Sequence, residues 1–436
     1  MSKHPTESSE NATPKEDAAK HEFELDRLLR LALDRVDATR YPNVEMSLLD
    51  ALESRDADVW LGAINEINDL TDGLRTALIA DPRFFGEKVF QIRGGLGGRH
   101  GFYPNFVDQL LVRRAIQAGS VDGATAWLKK VFETKRASGK LILALWGVST
   151  EHEAPLAENV RIVPFESLSE SDQKRVVSPD TNGRRLLSSA LDFAPPKSVL
   201  VYGVTIDPFI VDASVEDIKD SGSAGMYRLL EDIALLLTLI GPRPSLPLIR
   251  WFSFDDPELD IGSGTMMPMT EIVPTHPTEY PSLDVIEAKD VIDGFLKLND
   301  ETKDHLRVAI DRINRALRRR NVGDRAVEIG TAFETLVGDD GKTEMTYKVR
   351  VRTARLIGGA AEERLANADL VSKTYDVRSS LVHTGRVNER KNPLIAGKST
   401  PINEVVTRSL TLCCELTKEI IRRGGIPQWS EFDIAG

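Results

Sequence analysis

Cysteine is nearly absent: two residues, Cys413 and Cys414, in a chain of 436. They are adjacent, and neighbours on a helix point about 100° apart, which suits neither a disulfide nor a shared metal. The 7 histidines are scattered, with no HExxH pattern and no Cys/His cluster. The familiar zinc-site spacings are therefore missing, and the expected complement of metals and cofactors is none. Long apolar runs are missing too. The longest, "IALLLTLI" (233–240), falls far short of the roughly 20 residues a membrane span needs. The opening "MSKHPTESSENATPKEDAAKHE" is polar and has no apolar core segment of an export signal. It reads as a disordered tail over residues 1–21, and the expected location is cytoplasmic, with no membrane partner. Positive charge is also short. A net charge of −11 argues against coating nucleic acid through bulk charge and leaves room only for a local basic site.

What is present is an ordinary globular composition, 41% hydrophobic and 28% charged. The length exceeds one ordinary core and predicts a multidomain α+β chain. Residues 22–138 read as a helical N-terminal region. "FELDRLLRLALDRV" sets Leu25, Leu28, Leu29, Ala32 and Val36 on one stripe, and "FVDQLLVRRAIQAG" and "GATAWLKKVFETKR" repeat the spacing. Between them "IRGGLGGRHGFYPN" (92–105) reads as an exposed loop. Its "GGLGG" lacks the Lys-Ser/Thr of a phosphate-binding loop.

The texture changes near residue 139. "KLILALWGV", "VRIVPF", "SVLVYGVTI" and "LIRWFSF" are short apolar, β-branched and aromatic runs that predict strands. One helix interrupts them, "AGMYRLLEDIALLLTLIG", stopped by Gly241-Pro242. Residues 139–284 thus form a mixed α+β region, ending in a proline-rich linker or long loop over 262–282. Residues 285–436 read as a bundle of amphipathic helices joined by short loops. "DRAVEIGTAFETLVG" starts there at an acidic cap and "YDVRSSLVHTGR" (375–386) ends a long helix at Gly385.

Three stretches of this bundle carry chemistry. "VEIGTAFETLV" holds Glu334, "VRVRTARLIG" holds Arg352 and Arg355, and "YDVRSSLVHTG" holds Arg378 and His383, with a spacer of four. Glu334 reads as a structural partner for Arg352 or Arg355. Tyr375 reads as packing. "RALRRRN" (315–321) reads either as an RNA contact or as a basic turn that complements a helix dipole. Between Lys348 and Lys391, ten basic residues face five acidic ones, a local positive patch in an acidic chain.

In this order the stretches resemble the HEPN superfamily of helical nucleases and nucleotide-binding domains, and within it the ApeA-like branch of anti-phage defence proteins. The resemblance covers roughly residues 295–424, and Arg378 and His383 fit the family's Arg-x4-6-His motif. It implies an all-α HEPN bundle over 285–436 and a metal-independent endoribonuclease whose site forms where two bundles meet, hence a homodimer. Ser379 stands where active members often carry Asn, Asp or His. The resemblance implies catalytic roles for Arg378, His383 and Ser379, and RNA contacts from Arg352, Arg355 and Arg386. RNA, with tRNA one candidate, is the expected partner. The 139–284 region would sense a phage-derived or nucleotide trigger and restrain the nuclease. The chemistry is consistent with the residue types. Histidine exchanges a proton near neutral pH, and arginine holds phosphate while charge builds. Alternatives from other classes are an inactive bundle that binds RNA or nucleotide, and a dimerising scaffold.

Overall fold

The computed structural model describes residues 14–35, 67–82, 84–86, 88–95, 99–177, 196–214, 223–259, 261, 267–268, 280–339 and 344–434. The four β-rich runs form the strands expected of them. They are β3 (Ala137–Trp146), β5 (Val160–Pro164), β6 (Ser198–Ile206) and β8 (Leu246–Phe254). With β4 (Ala154–Ala157) and β9 (Met267–Pro268) they make a six-stranded antiparallel sheet in the order β4-β5-β6-β3-β8-β9. Alternation decides what each face meets. Leu141, Leu143 and Leu145 of β3 enter the main core. Ile142 and Ala144 join Val199, Val201 and Trp251 in a smaller cluster on the opposite face.

The N-terminal helices are α1 (Pro14–Arg35), α2 (Asn68–Ala80), α3 (Pro104–Ala118) and α4 (Val121–Glu133). Helix α1 begins inside the expected tail, so only residues 1–13 of that expectation lie outside the described residues. The expected loop at 92–105 is corrected more substantially. Phe90–Arg93 and Arg99–Phe102 form a hairpin, β1–β2, and β1 also pairs with β7 (Ile210–Asp212). Arg93 is buried and donates to the Asp207 carbonyl at 2.9 Å. Gly95 packs so close to Phe252 that a Cβ would stand 2.1 Å from its ring. The "GGLGG" glycine therefore has a packing role.

The middle helices are α5 (Asp172–Val177) and α6 (Ser223–Leu236); α6 follows the expected "AGMYRLLEDIALLLTLIG" run. The C-terminal helices are α7 (Val285–Leu296), α8 (Asp300–Arg318), α9 (Val322–Val337), α10 (Met345–Ile357), α11 (Ala361–Thr384), α12 (Ile402–Arg422) and α13 (Trp429–Phe432). A small hairpin, β10 (Leu394–Ile395) and β11 (Lys398–Ser399), lies between α11 and α12. Side-chain caps start several of these helices. Asn299 accepts from Thr302 N at 2.8 Å, and Asp284 accepts from Glu287 N at 3.0 Å. Helix α9 is capped by Asn321, which accepts from Gly323 N and Asp324 N, and not by the acidic residue expected. Helix α9 sits centrally, touching α8, α10, α11 and α12, and buries Ala326, Ile329, Phe333 and Leu336.

The main apolar cluster runs without a break from Leu25 of α1 to Ile421 of α12. Polar contacts fasten the middle region to the bundle. Asn314 of α8 donates to Thr238 Oγ1 and Ser245 O at 2.9 and 2.8 Å, and Arg307 pairs with Asp232 at 2.7 Å. Of the linker expected at 262–282, residues 262–266 and 269–279 lie outside the described residues. Its end is held in place: Pro281 and Ser282 carbonyls accept from the buried Arg243. Among the described residues, no helix is long and apolar enough to cross a membrane.

Candidate functional site

Helix α11 carries the motif at its C-terminal end. It runs regularly to Thr384 and stops at Gly385, whose N–H donates to Leu381 O at 2.8 Å. Its polar end is held by local bonds. Thr384 Oγ1 and Ser380 Oγ both donate to the Arg386 carbonyl, at 3.1 and 3.0 Å. With about 100° per residue, Arg378 and His383 point about 140° apart on this helix. Ser379 and His383, four apart, share one face instead, and both are exposed. Arg378 and Val382 share the adjacent face, and Val382 is 63% exposed.

Arg378 is oriented by α9. Its guanidinium donates to both Glu334 oxygens, at 2.7 and 3.3 Å, and lies 5.5 Å from the Tyr375 ring centroid. Gly330, one helical turn before Glu334, makes the approach possible. A Cβ there would stand 2.8 Å from Arg378 Cδ. Tyr375 is buried and donates to the Gly330 carbonyl at 3.3 Å. Burial, with the Glu334 charge beside it, pushes its phenol far above the usual value, so it remains neutral. The expected partners of Glu334 are therefore corrected: it pairs with Arg378, not with Arg352 or Arg355. A double-mutant cycle on Glu334→Ala and Arg378→Ala should give a stabilising coupling of about 1 kcal/mol in urea unfolding, since the pair is bidentate but partly solvated. A coupling indistinguishable from zero would contradict this pairing.

Arg352 and Arg355 lie on α10 and meet the chain's C-terminal turn. Arg352 is 2% exposed. It bonds Asp433 at 2.7 Å, Asp339 at 2.8 Å and the Val337 carbonyl at 2.8 Å, and its guanidinium lies 4.6 Å from the Trp429 ring centroid. Arg355 donates to the Asp433 carbonyl at 2.9 Å and lies over Phe432. An RNA contact by Arg352 would require these ion pairs to open. Arg386 follows the helix end and its side chain is exposed. Residues of "RALRRRN" are mostly engaged within the fold. Arg319 pairs with Glu328 at 2.9 Å, Arg315 with Asp311 at 2.9 Å, and Arg318 donates to Asn314 at 3.1 Å.

Sequence reasoning missed two residues here, Gly330 and Asp433. The aromatic "WSEF" before Asp433 was the available signal for a docked C-terminal turn. Cys413 and Cys414 are both free and both buried in α12. Burial pushes the Cys414 thiol up to about 12 and lifts the Cys413 thiol well above the usual range, which makes both poor nucleophiles. Among the described residues, no group of three or more His, Cys, Asp or Glu is placed to hold a metal ion. No family model, curated protein or solved structure matches the chain.

Proposed function

We propose that the chain is a metal-independent endoribonuclease of HEPN type, serving anti-phage defence or a stress response, with Arg378, His383 and Ser379 at its site. One observation carries the reading. The end of α11 presents an exposed His383 beside an exposed Ser379, one face away from an arginine that Glu334 holds in place. In this reading His383 moves the proton of the RNA 2′-OH or of the leaving oxygen. Arg378 holds the phosphate and stabilises charge on the pentacovalent centre, and Ser379 holds a phosphate oxygen. Arg386, just past the helix end, adds a phosphate contact. The products are a 2′,3′-cyclic phosphate and a 5′-OH.

Because Arg378 and His383 diverge on one helix, the reading pairs the arginine of one copy with the histidine of another. Exposed Val382, between them in sequence, supplies apolar surface for that contact. The middle region then restrains or triggers the bundle through the Arg307–Asp232 and Asn314 contacts. Incubation with total RNA and with tRNA tests the reading. Cleavage should be equal in EDTA and in magnesium, because no step uses a metal. Activity lost in EDTA and restored by magnesium would overturn it.

A second reading is favoured by one contact. Glu334 engages both terminal nitrogens of Arg378, which suits a bundle that binds RNA without cutting it. That protein would retard RNA on a gel and leave its length unchanged.

A further inference from the structure

The second half of α11 borders a cleft of about 230 Å³, closed on its other side by the loop of residues 387–393 that leads to β10. The cleft begins beside the motif. Asp376 and Ser380 line it, and with His383 they fall four and then three residues apart, on one stripe of the helix. Neighbours at that spacing stand about 5–6 Å apart at Cβ, and helical side chains lean toward the N-terminus, so His383 leans toward the cleft. The loop is held in shape by its own bonds. The Arg386 carbonyl accepts from Ser380 and Thr384, at 3.0 and 3.1 Å. Asn388 Oδ1 accepts from Arg390 N at 3.2 Å, and Asn388 O accepts from Lys391 N at 3.1 Å. Val387 packs on the start of α9, where a Cβ added at Gly323 would stand 2.8 Å from its Cγ2. The cleft is thus formed before a ligand arrives.

The lining defines the ligand. Val387, Pro393 and Ile402 are its apolar part, and of these the half-buried Val387 keeps the most contact with water. An apolar cavity of about 150 Å³ accepts a benzene ring, so this cleft has room for one nucleobase. The polar side chains are mainly donors. Lys391 is exposed and, among the described residues, pairs with no carboxylate. Lys373 pairs with Asp376 at 3.0 Å, a solvated contact of little strength, so Lys391 is the surplus cation of the cleft. On the loop itself Arg386, Arg390 and Lys391 stand against one carboxylate, Glu389. With its Oδ1 on Arg390 N, Asn388 keeps an NH2 that has no partner among the described residues. A cation for phosphate, an amide donor for a carbonyl and an apolar wall for a ring are together the parts of a nucleotide site. Adenine alone of the four RNA bases has no carbonyl, so this donor set discriminates against it.

We propose that the cleft is the subsite for the RNA nucleotide that lies beside His383, with a carbonyl-bearing base against Val387, the Asn388 NH2 on that carbonyl and Lys391 on a phosphate. This rests on the α11 end being an RNA site, and the test separates the two. Uncleavable 2′-deoxy-substituted oligouridylate and oligoadenylate are titrated into the full chain, and cutting of the all-ribose strands is followed alongside. Wild type should bind the uridylate strand about 5-fold or more tightly than the adenylate, the worth of one hydrogen bond. Asn388→Asp keeps the bond to Arg390 N and removes the donor, and should abolish that preference whatever its charge does to overall affinity. Lys391→Ala should weaken both strands about 3- to 10-fold and lower the salt slope by about one. Lys398→Ala removes an exposed cation outside the cleft and should change neither. All three side chains are exposed, so each variant should melt as wild type does. If wild type binds both strands alike, or both cleft variants behave as wild type, while His383→Ala stops cutting, the subsite is overturned and the RNA reading stands. If wild type binds neither strand, both are overturned. Selective binding that depends on Lys391 and Asn388, with RNA left whole, upholds the subsite and overturns cleavage.

Discussion

Replacing His383 with alanine should slow RNA cleavage about 10²- to 10⁴-fold and leave RNA affinity nearly unchanged. That range is the usual contribution of a positioned proton-transfer group. The side chain is exposed in the last turn of α11, so its loss opens no cavity, and the melting temperature should remain that of wild type. Arg378→Ala should behave differently. In the proposed reading Arg378 meets phosphate in both ground and transition states, so affinity and rate should fall together. It also leaves Glu334 without its partner, so a small loss of stability should accompany the loss of activity. Binding to 2′-deoxy-substituted RNA isolates affinity from cleavage. If His383→Ala cuts at the wild-type rate, the histidine is a helix-end residue without a catalytic role.

Arg352→Ala should lower unfolding stability by about 2–3 kcal/mol in urea. The side chain is almost fully buried and ties three parts of the chain together: the end of α9, Asp339 beyond it, and the α13 turn through Asp433. Both carboxylates keep some contact with water, which holds the effect below that of a fully buried pair. The pair also predicts a pH dependence. The Arg352 guanidinium holds the Asp433 carboxyl below the usual carboxylate range. A carboxylate with a lowered folded-state pKa contributes stability above its unfolded pKa and loses it as pH falls through the folded one. Asp433→Asn should therefore flatten the acid limb of the stability profile below about pH 4. A profile identical to wild type across that limb would show that the C-terminal turn is not held through this charge pair.

The strands and most helices could be read from the sequence because their signals are local. Runs such as "SVLVYGVTI" carry strand residues throughout, and β6 has the bounds expected. The hairpin at 90–102 escaped for a physical reason. Its first strand is secured by β7, more than a hundred residues later, and by a buried arginine on a distant carbonyl. Neither partner leaves a mark near "IRGGLGG". The motif helix was legible to its last residue, since periodicity and a terminal glycine both lie within it. The partner of Glu334 was not. Its choice among three arginines depends on which face of α9 meets which helix, and on Gly330 allowing α11 to come close. Arg352 and Arg355 stand out in sequence as cations, yet the contacts that occupy them come from the aromatic C-terminal turn.

The end groups left on a single-stranded RNA incubated with the full chain in EDTA test the central claim most directly. Transesterification by the 2′-OH predicts 2′,3′-cyclic phosphate and 5′-OH termini from wild type, none from His383→Ala, and an intact all-2′-deoxy strand. Termini bearing 5′-phosphate and 3′-OH, or RNA left whole by the wild-type chain, would contradict it.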